Sequence, residues 1–239
     1  MSSINGPKDG EGGATPRFRF AEGATIVGGG PFAGALEEAL AIAPRLVCAD
    51  GAADRVGDRP PDAVIGDLDS ISDAEAWRAR IGERLVGLAE QDTTDLEKCL
   101  ALVDAPFLVG VGFLGGRVDH ELAALHALVA DPRPMALIGE ADVAVAPTRA
   151  LSLELEPGDR LSIFPLRAVT ILAGAGLVWP VDDLALEAGR RVGTSNEATG
   201  DGRVELRFDR PGAVVLVPRR RFPAVAAALR AVSAAGVTG

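Results

Sequence analysis

From Ala24 to about Gly139 the sequence alternates short apolar runs with stretches of helical spacing, and nothing else in it constrains the fold as strongly. ATIVGG, RLVCAD, DAVIGD, LVGLAE, FLVGVGF and MALIGE are each the length of one buried strand. Between them FAGALEEALAIA, ISDAEAWRARI, DLEKCLALV and HELAALHALVA place apolar residues at helical intervals; in the first these are Leu36, Ala39, Leu40 and Ala43. Strands that alternate with helices predict a mostly parallel sheet covered on both faces. The spacing Ser72…Glu75 predicts a capping box at the start of the second helix.

After about Asp142 the pattern changes. LSLELEPGDRLSIFPL alternates apolar and polar residues around a Pro-Gly-Asp turn, and AVTILAGAGLVWPV and RVELRFDRPGAVVLVP continue in that manner. The expected fold is therefore an α/β N-terminal domain with a mostly parallel sheet, followed by an all-β, sandwich-like C-terminal domain. The expected boundaries are a disordered tail over 1–22, the α/β domain over 23–141 and the β domain over 142–239, closed by a C-terminal helix. Aromatics make up only 4% of the 239 residues and Tyr is absent, so the core must be built from Ala, Val, Leu and Ile.

The net charge of −10 and the lack of a basic stripe before Arg219–Arg221 argue against nucleic acid as a partner. An acidic protein can still hold a polyphosphate if cations screen it. No apolar stretch reaches the roughly 18 residues of a membrane helix, and the N-terminus lacks the apolar centre of a signal peptide. Cys48 and Cys99 fall in apolar patterns and read as small core residues, so a reducing cytoplasm is the expected compartment.

Three clusters carry chemistry. Gly66-Asp67-Leu68-Asp69-Ser70 follows a strand, and ligands of open α/β sheets bind beyond the carboxyl ends of strands. In an extended segment Asp67 and Asp69 aim at one point, where their repulsion is relieved by Mg²⁺. The alternative is a turn-capping Asp67 and a solvated Asp69. In the second cluster, Thr94 and Glu97 have capping-box spacing, which starts a helix at Thr94 with Leu96, Cys99, Leu100 and Val103 as its buried stripe. Asp95 then sits in the first turn, near N–H groups that suit phosphate, or simply complements the helix dipole. The third cluster, Gly115-Gly116-Arg117-Val118-Asp119-His120, offers close backbone approach and a guanidinium fork for phosphate. Asp119 is either a ligand partner or a helix N-cap. No G-x-x-x-x-G-K-[ST] pattern occurs, which excludes an ordinary P-loop.

The ordered set ADGAAD, GDLDS, EQDTTDLEKCL, GGRVDH and GTSNEATG resembles thiamine pyrophosphokinase, and GLVWPVDDLALEAGRRVGTSNE looks like that family's C-terminal signature. The likeness spans about Ala24 to Pro218. It implies a homodimer that acts on ATP and thiamine with Mg²⁺. By motif, Asp50, Asp67, Asp69 and Asp95 would form the catalytic acidic site, with Asp67, Asp69 and Asp95 on the metal. Gln91, Thr94, Arg117 and Asp119 would contact nucleotide or phosphate. Trp179, Ser195 and Asn196 would belong to a thiamine pocket shared across the dimer. Two positions depart from the family pattern: Ala124 stands where many relatives have Asn, and Glu90-Gln91 mixes two forms of its motif. The rival functions are diphosphate transfer to a pterin alcohol and a non-catalytic thiamine or nucleotide sensor.

Overall fold

The computed structural model describes residues 15–32, 34–90 and 92–236. In chain order the elements begin with β1 (Phe18–Arg19), β2 (Ala24–Val27), α1 (Ala35–Ile42), β3 (Arg45–Ala49) and a 3-10 segment over Asp50–Arg55. Then come β4 (Ala63–Gly66), α2 (Ala74–Ile81), β5 (Leu85–Gly87), α3 (Asp95–Leu102), β6 (Val103–Asp104), β7 (Leu108–Val111), α4 (Val118–Ala130) and β8 (Met135–Ile138). The second half holds β9 (Asp142–Val145), β10 (Ala150–Glu154), β11 (Arg160–Pro165), β12 (Val169–Ala175) and β13 (Leu184–Leu186). It ends with β14 (Gly193–Glu197), β15 (Arg203–Phe208), β16 (Ala213–Pro218) and α5 (Phe222–Gly236).

Ten strands form one sheet in the order β14-β11-β16-β9-β8-β7-β2-β3-β4-β5. The six from β8 to β5 pair in parallel, as the βα alternation requires. From β8 onward, β9, β16, β11 and β14 pair antiparallel, so the sheet runs unbroken past Asp142. A four-stranded antiparallel sheet, β10-β15-β12-β13, packs over that half. Leu153, Ile171 and Phe208 from it share one core with Leu161, Ile163 and Val215 of the large sheet. The helices cover both faces: α1 and α5 join this core, while Leu96, Cys99, Ala127 and Leu128 of α3 and α4 fill the opposite one. Both cysteines are buried and free.

Two sequence expectations need correction. Part of the expected 1–22 tail is ordered: Phe18–Arg19 pairs in parallel with Val103–Asp104, and Phe18 and Phe20 pack on the core. Two apolar rings in a polar stretch supply the burial that holds it. The α2 cap is Asp73, whose carboxylate accepts the Ala76 N–H at 2.9 Å. Ser72 does not cap; its N–H donates to Asp54 Oδ2 at 2.7 Å instead. By contrast the Thr94–Glu97 capping box is formed in full.

Candidate active site

The chain runs from β2 through β3 and β4 to β5 in one direction, then crosses back to place β7 and β8 on the other side of β2. Such a reversal opens a crevice beyond the strand ends. Here the crevice is a cavity of about 640 Å³, reached by residues that follow β2, β3, β4 and β7. Its floor demands glycine. A Cβ on Gly30 would stand 2.7 Å from the Gly112 carbonyl oxygen, and Gly112 itself has φ +75°. Arg55 holds the same glycine loop from outside, donating to the carbonyls of Gly29 and Gly30 while lying over the Phe32 ring.

Asp50, Asp67 and Asp69 each place a carboxylate oxygen within 4.8 Å of the others. Their convergence differs from the extended geometry expected of D-x-D. Leu68 is left-handed at φ 67°, and the Asp69 N–H turns back to Asp67 Oδ1 at 3.3 Å. Asp50 is also left-handed, at φ 49°, and only 3% exposed. Gly66 makes room for it, since a Cβ there would lie 2.5 Å from the Asp50 Cβ. The Ser70 hydroxyl lies 2.6 Å from Asp50 Oδ2 and 3.0 Å from Asp69 Oδ1, so one donor spans two carboxylates. Asp50 Oδ1 is buried and finds no donor among the described residues. A buried carboxylate oxygen without a donor is costly. Hard oxygen ligands at this spacing fit a small divalent cation.

Asp95 enters from the first turn of α3, as its capping box dictates. It lines the same cavity but stands outside the tight trio. Desolvation pushes its carboxyl above the usual Asp value; Lys98 opposes this, and the charges of Asp50 and Asp67 add to it. Lys98 is the residue that sequence reasoning missed. Its side chain lines the cavity at 4% exposure, with Nζ 3.6 Å from Asp95 Oδ1. A signal was available: a lysine near a helix N-terminus opposes the dipole, and burying one requires a partner. Thr94 also lines the cavity, while Gln91 lies outside the described residues.

Arg117 reaches the cavity and is paired with Asp119 at 2.6 Å, both side chains being exposed. Asp119 is not an N-cap, because α4 begins after Arg117 and Asp119 lies in its first turn. Ala124 is also in the wall. Altogether Asp50, Asp67, Asp69, Asp95 and Glu121 face only Lys98 and Arg117 among the charged lining residues. A polyphosphate entering this excess of carboxylates needs added cations.

Trp179, Ser195 and Asn196 are not brought to this cavity within the single chain. They cluster instead on β14 and the segment between β12 and β13. Trp179 is 53% exposed. Ser195, at φ 61°, lies where the β11–β14 register shifts, and its N–H donates to Ser162 Oγ at 3.0 Å. Asn196 is buried against the Trp179 backbone.

An open α/β crevice that brings an acidic cluster together with the Lys98 and Arg117 side chains is of the kind that can take a phosphate-bearing ligand. Two family models match the chain in order: "Thiamin pyrophosphokinase, catalytic domain" over residues 36–137 and "Thiamin pyrophosphokinase, vitamin B1 binding domain" over 150–212. Thiamine pyrophosphokinase 3 of Oryza sativa subsp. japonica is 30% identical over 197 residues, covering 65% of this chain and 74% of its own. Thiamin pyrophosphokinase 1 of Caenorhabditis elegans is 31% identical over 175 residues, covering 64% and 71%. Among solved structures, thiamin pyrophosphokinase from Candida albicans superposes with a TM-score of 0.68 at 15% identity, over 85% of this chain and 94% of that one. The chain belongs to the thiamine pyrophosphokinase family.

Proposed function

We propose that the chain is a thiamine diphosphokinase, transferring diphosphate from ATP to the hydroxyl of thiamine with release of AMP. Membership of the family supports the activity. The observation that carries the site reading is Asp50: a buried carboxylate with one oxygen unpartnered, facing Asp67 and Asp69 at the sheet's switch point.

The thiamine hydroxyl attacks the β-phosphorus in line as the bond to the α-phosphate oxygen breaks. Chemistry of this kind is mainly positioning and charge neutralisation. Asp50, Asp67 and Asp69, with Asp95 beside them, are the residues that would hold Mg²⁺. When bound, it neutralises phosphate oxygens and orients the transferred group. Lys98 supplies a fixed positive charge deep in the cavity, and Arg117 one at its exposed side. Thr94, Gln91 and Asp119 are assigned to nucleotide or phosphate contacts. Transfer of this kind does not require a general base, and a carboxylate near the hydroxyl, Asp50 or Asp95, is the candidate to accept the proton.

Residues 23–141 would then be the nucleotide and metal domain and 142–239 the thiamine-binding domain, with Trp179 walling the pyrimidine ring. Trp179, Ser195 and Asn196 lie outside the acidic cavity of their own chain, which supports a homodimer whose site is shared between copies. Among the described residues no helix is long and apolar enough to cross a membrane. The two free cysteines suit a cytoplasmic protein.

The test is AMP release from ATP and Mg²⁺ with thiamine, with a pterin alcohol and with neither. Release with thiamine alone supports the reading. Release with the pterin instead supports the rival enzyme, and no release with either supports a sensor. For the shared site, an Asp67→Asn chain mixed with a Ser195→Ala chain should regain activity in heterodimers. A monomer in sedimentation would overturn that part.

A further inference from the structure

Asn196 sits in the motif GTSNE, where a substrate contact is the natural expectation, yet its side chain is spent inside the protein. It is 7% exposed. Its Oδ1 accepts the Trp179 N–H at 3.1 Å and the Glu197 N–H at 2.9 Å, while its Nδ2 donates to the Trp179 carbonyl at 2.8 Å. The segment before Trp179 runs alongside the end of β14. Leu177 bridges Ala198, and the Val178 N–H donates to the Glu197 carbonyl at 2.9 Å. At Trp179 the backbone pairing stops, and the Asn196 amide takes it over by presenting an acceptor and a donor to the residue. Pro180 follows, with no N–H to continue a ladder. The backbone of Trp179 is thus gripped from one side while its indole stands in solvent.

We propose that Asn196 is a positioning residue for the thiamine pocket: it fixes the backbone from which Trp179 presents its indole, and does not itself touch substrate. The proposal rests on the reading that Trp179 faces thiamine. Its energetic logic is preorganisation. An exposed aromatic on a loose loop must be ordered at the moment of binding, whereas one on a latched backbone has already lost that freedom. The neighbouring Ser195 differs: its side chain is exposed, and it remains the residue of this pair that is free to meet a ligand.

The experiment uses a Trp77→Phe parent, in which Trp179 is the sole indole, and compares Asn196→Leu, Asn196→Asp, Trp179→Ala and the Asn196→Leu/Trp179→Ala double variant. Asn196→Leu should raise the thiamine KM by up to the roughly 2- to 13-fold expected for losing the ring. The ATP KM and kcat should hold. In the Trp179→Ala background Asn196→Leu should add nothing further, because it acts only through the ring. Asn196→Asp keeps the acceptor but not the donor and should fall between parent and Asn196→Leu. A further rise of the thiamine KM in the double variant would make Asn196 a direct contact and overturn the proposal. Hydrogen exchange at the Trp179 amide tests the latch in the parent without any change at Asn196. A gripped N–H exchanges slowly, and Asn196→Leu should speed it. Fast exchange at that amide in the parent overturns the latch. If Trp179→Ala leaves the thiamine KM unchanged while the amide exchange behaves as stated, the latch stands and the reading of Trp179 as a thiamine wall is what fails.

Discussion

Asp50 and Asp159 are both almost completely buried aspartates, and the protein treats them in opposite ways. Asp159 closes the turn before β11. Its carboxylate accepts the Glu156 N–H at 2.7 Å and pairs with both Arg220 and Arg221 from the segment entering α5. Both carboxylate oxygens have a cationic partner, and the segment entering α5 is tied to the turn before β11. Among the described residues Asp50 has Ser70 on one oxygen and no donor on the other, with two more carboxylates close by. The first arrangement is a finished structural joint. The second leaves a buried acceptor open, and burial alone does not distinguish them; the partners do.

Breaking each side of this comparison should give opposite signatures. The largest effect is on turnover. Asp67→Asn or Asp69→Asn should lower kcat by roughly 10²–10³-fold, the scale for removing one group that stabilises transition-state charge, with the fold intact by circular dichroism. Wild-type activity at low Mg²⁺ in either variant would remove the residue from the metal site.

On the structural side, Asp159→Asn breaks a buried pair, which costs about 3 kcal/mol. At roughly 2–4 °C per kcal/mol for a chain of this size, Tm should fall by about 6–12 °C. The pH dependence has a definite sign. Desolvation pushes the Asp159 carboxyl up, but the Glu156 N–H and the two arginines outweigh it and hold it below the ordinary value of 3.8. This part of the stability is therefore whole above about pH 3.8 and is lost as pH falls through the lower folded value. The Tm gap between wild type and Asp159→Asn should be constant near neutrality and close in strong acid. A gap that stays open there would mean that charge is not what the joint uses.

The smallest effect belongs to Trp179→Ala, with a thiamine KM raised roughly 2- to 13-fold and an ATP KM unchanged. Steady-state kinetics on both substrates decides it; equal changes in both would return the ring to a purely structural role.

How much of this was legible beforehand follows the same division. The parallel half of the sheet could be read because each strand is a short apolar run bounded by turn residues, and the Thr94–Glu97 box because its two bonds are local in sequence. Asp67 and Asp69 could be paired from their spacing, although the geometry that unites them passes through a left-handed Leu68 that no pattern announces. The continuation of the large sheet through β9, β16, β11 and β14 was not legible, because antiparallel strands far apart in sequence carry no mark of which sheet they join. Lys98 carried a local hint, a lysine set against the dipole of α3, but its burial was not legible, and neither was the use of the Asn196 amide on a backbone 17 residues away. Non-local satisfaction of polar groups is settled by the fold, and a linear pattern records only the residue type.

The contrast between the two aspartates can be tested in one thermal-shift series with and without Mg²⁺. Asn tolerates the left-handed backbone at position 50, and its amide can keep an acceptor toward Ser70 while turning donors to Asp67 and Asp69. Asp50→Asn should therefore melt at or above wild type when Mg²⁺ is absent, and should gain little when Mg²⁺ is added. Wild type and Asp159→Asn should both gain, since a ligand that binds only the folded state raises stability by mass action. An Asp50→Asn protein that melts well below wild type without Mg²⁺, or gains as much as wild type with it, would contradict the account.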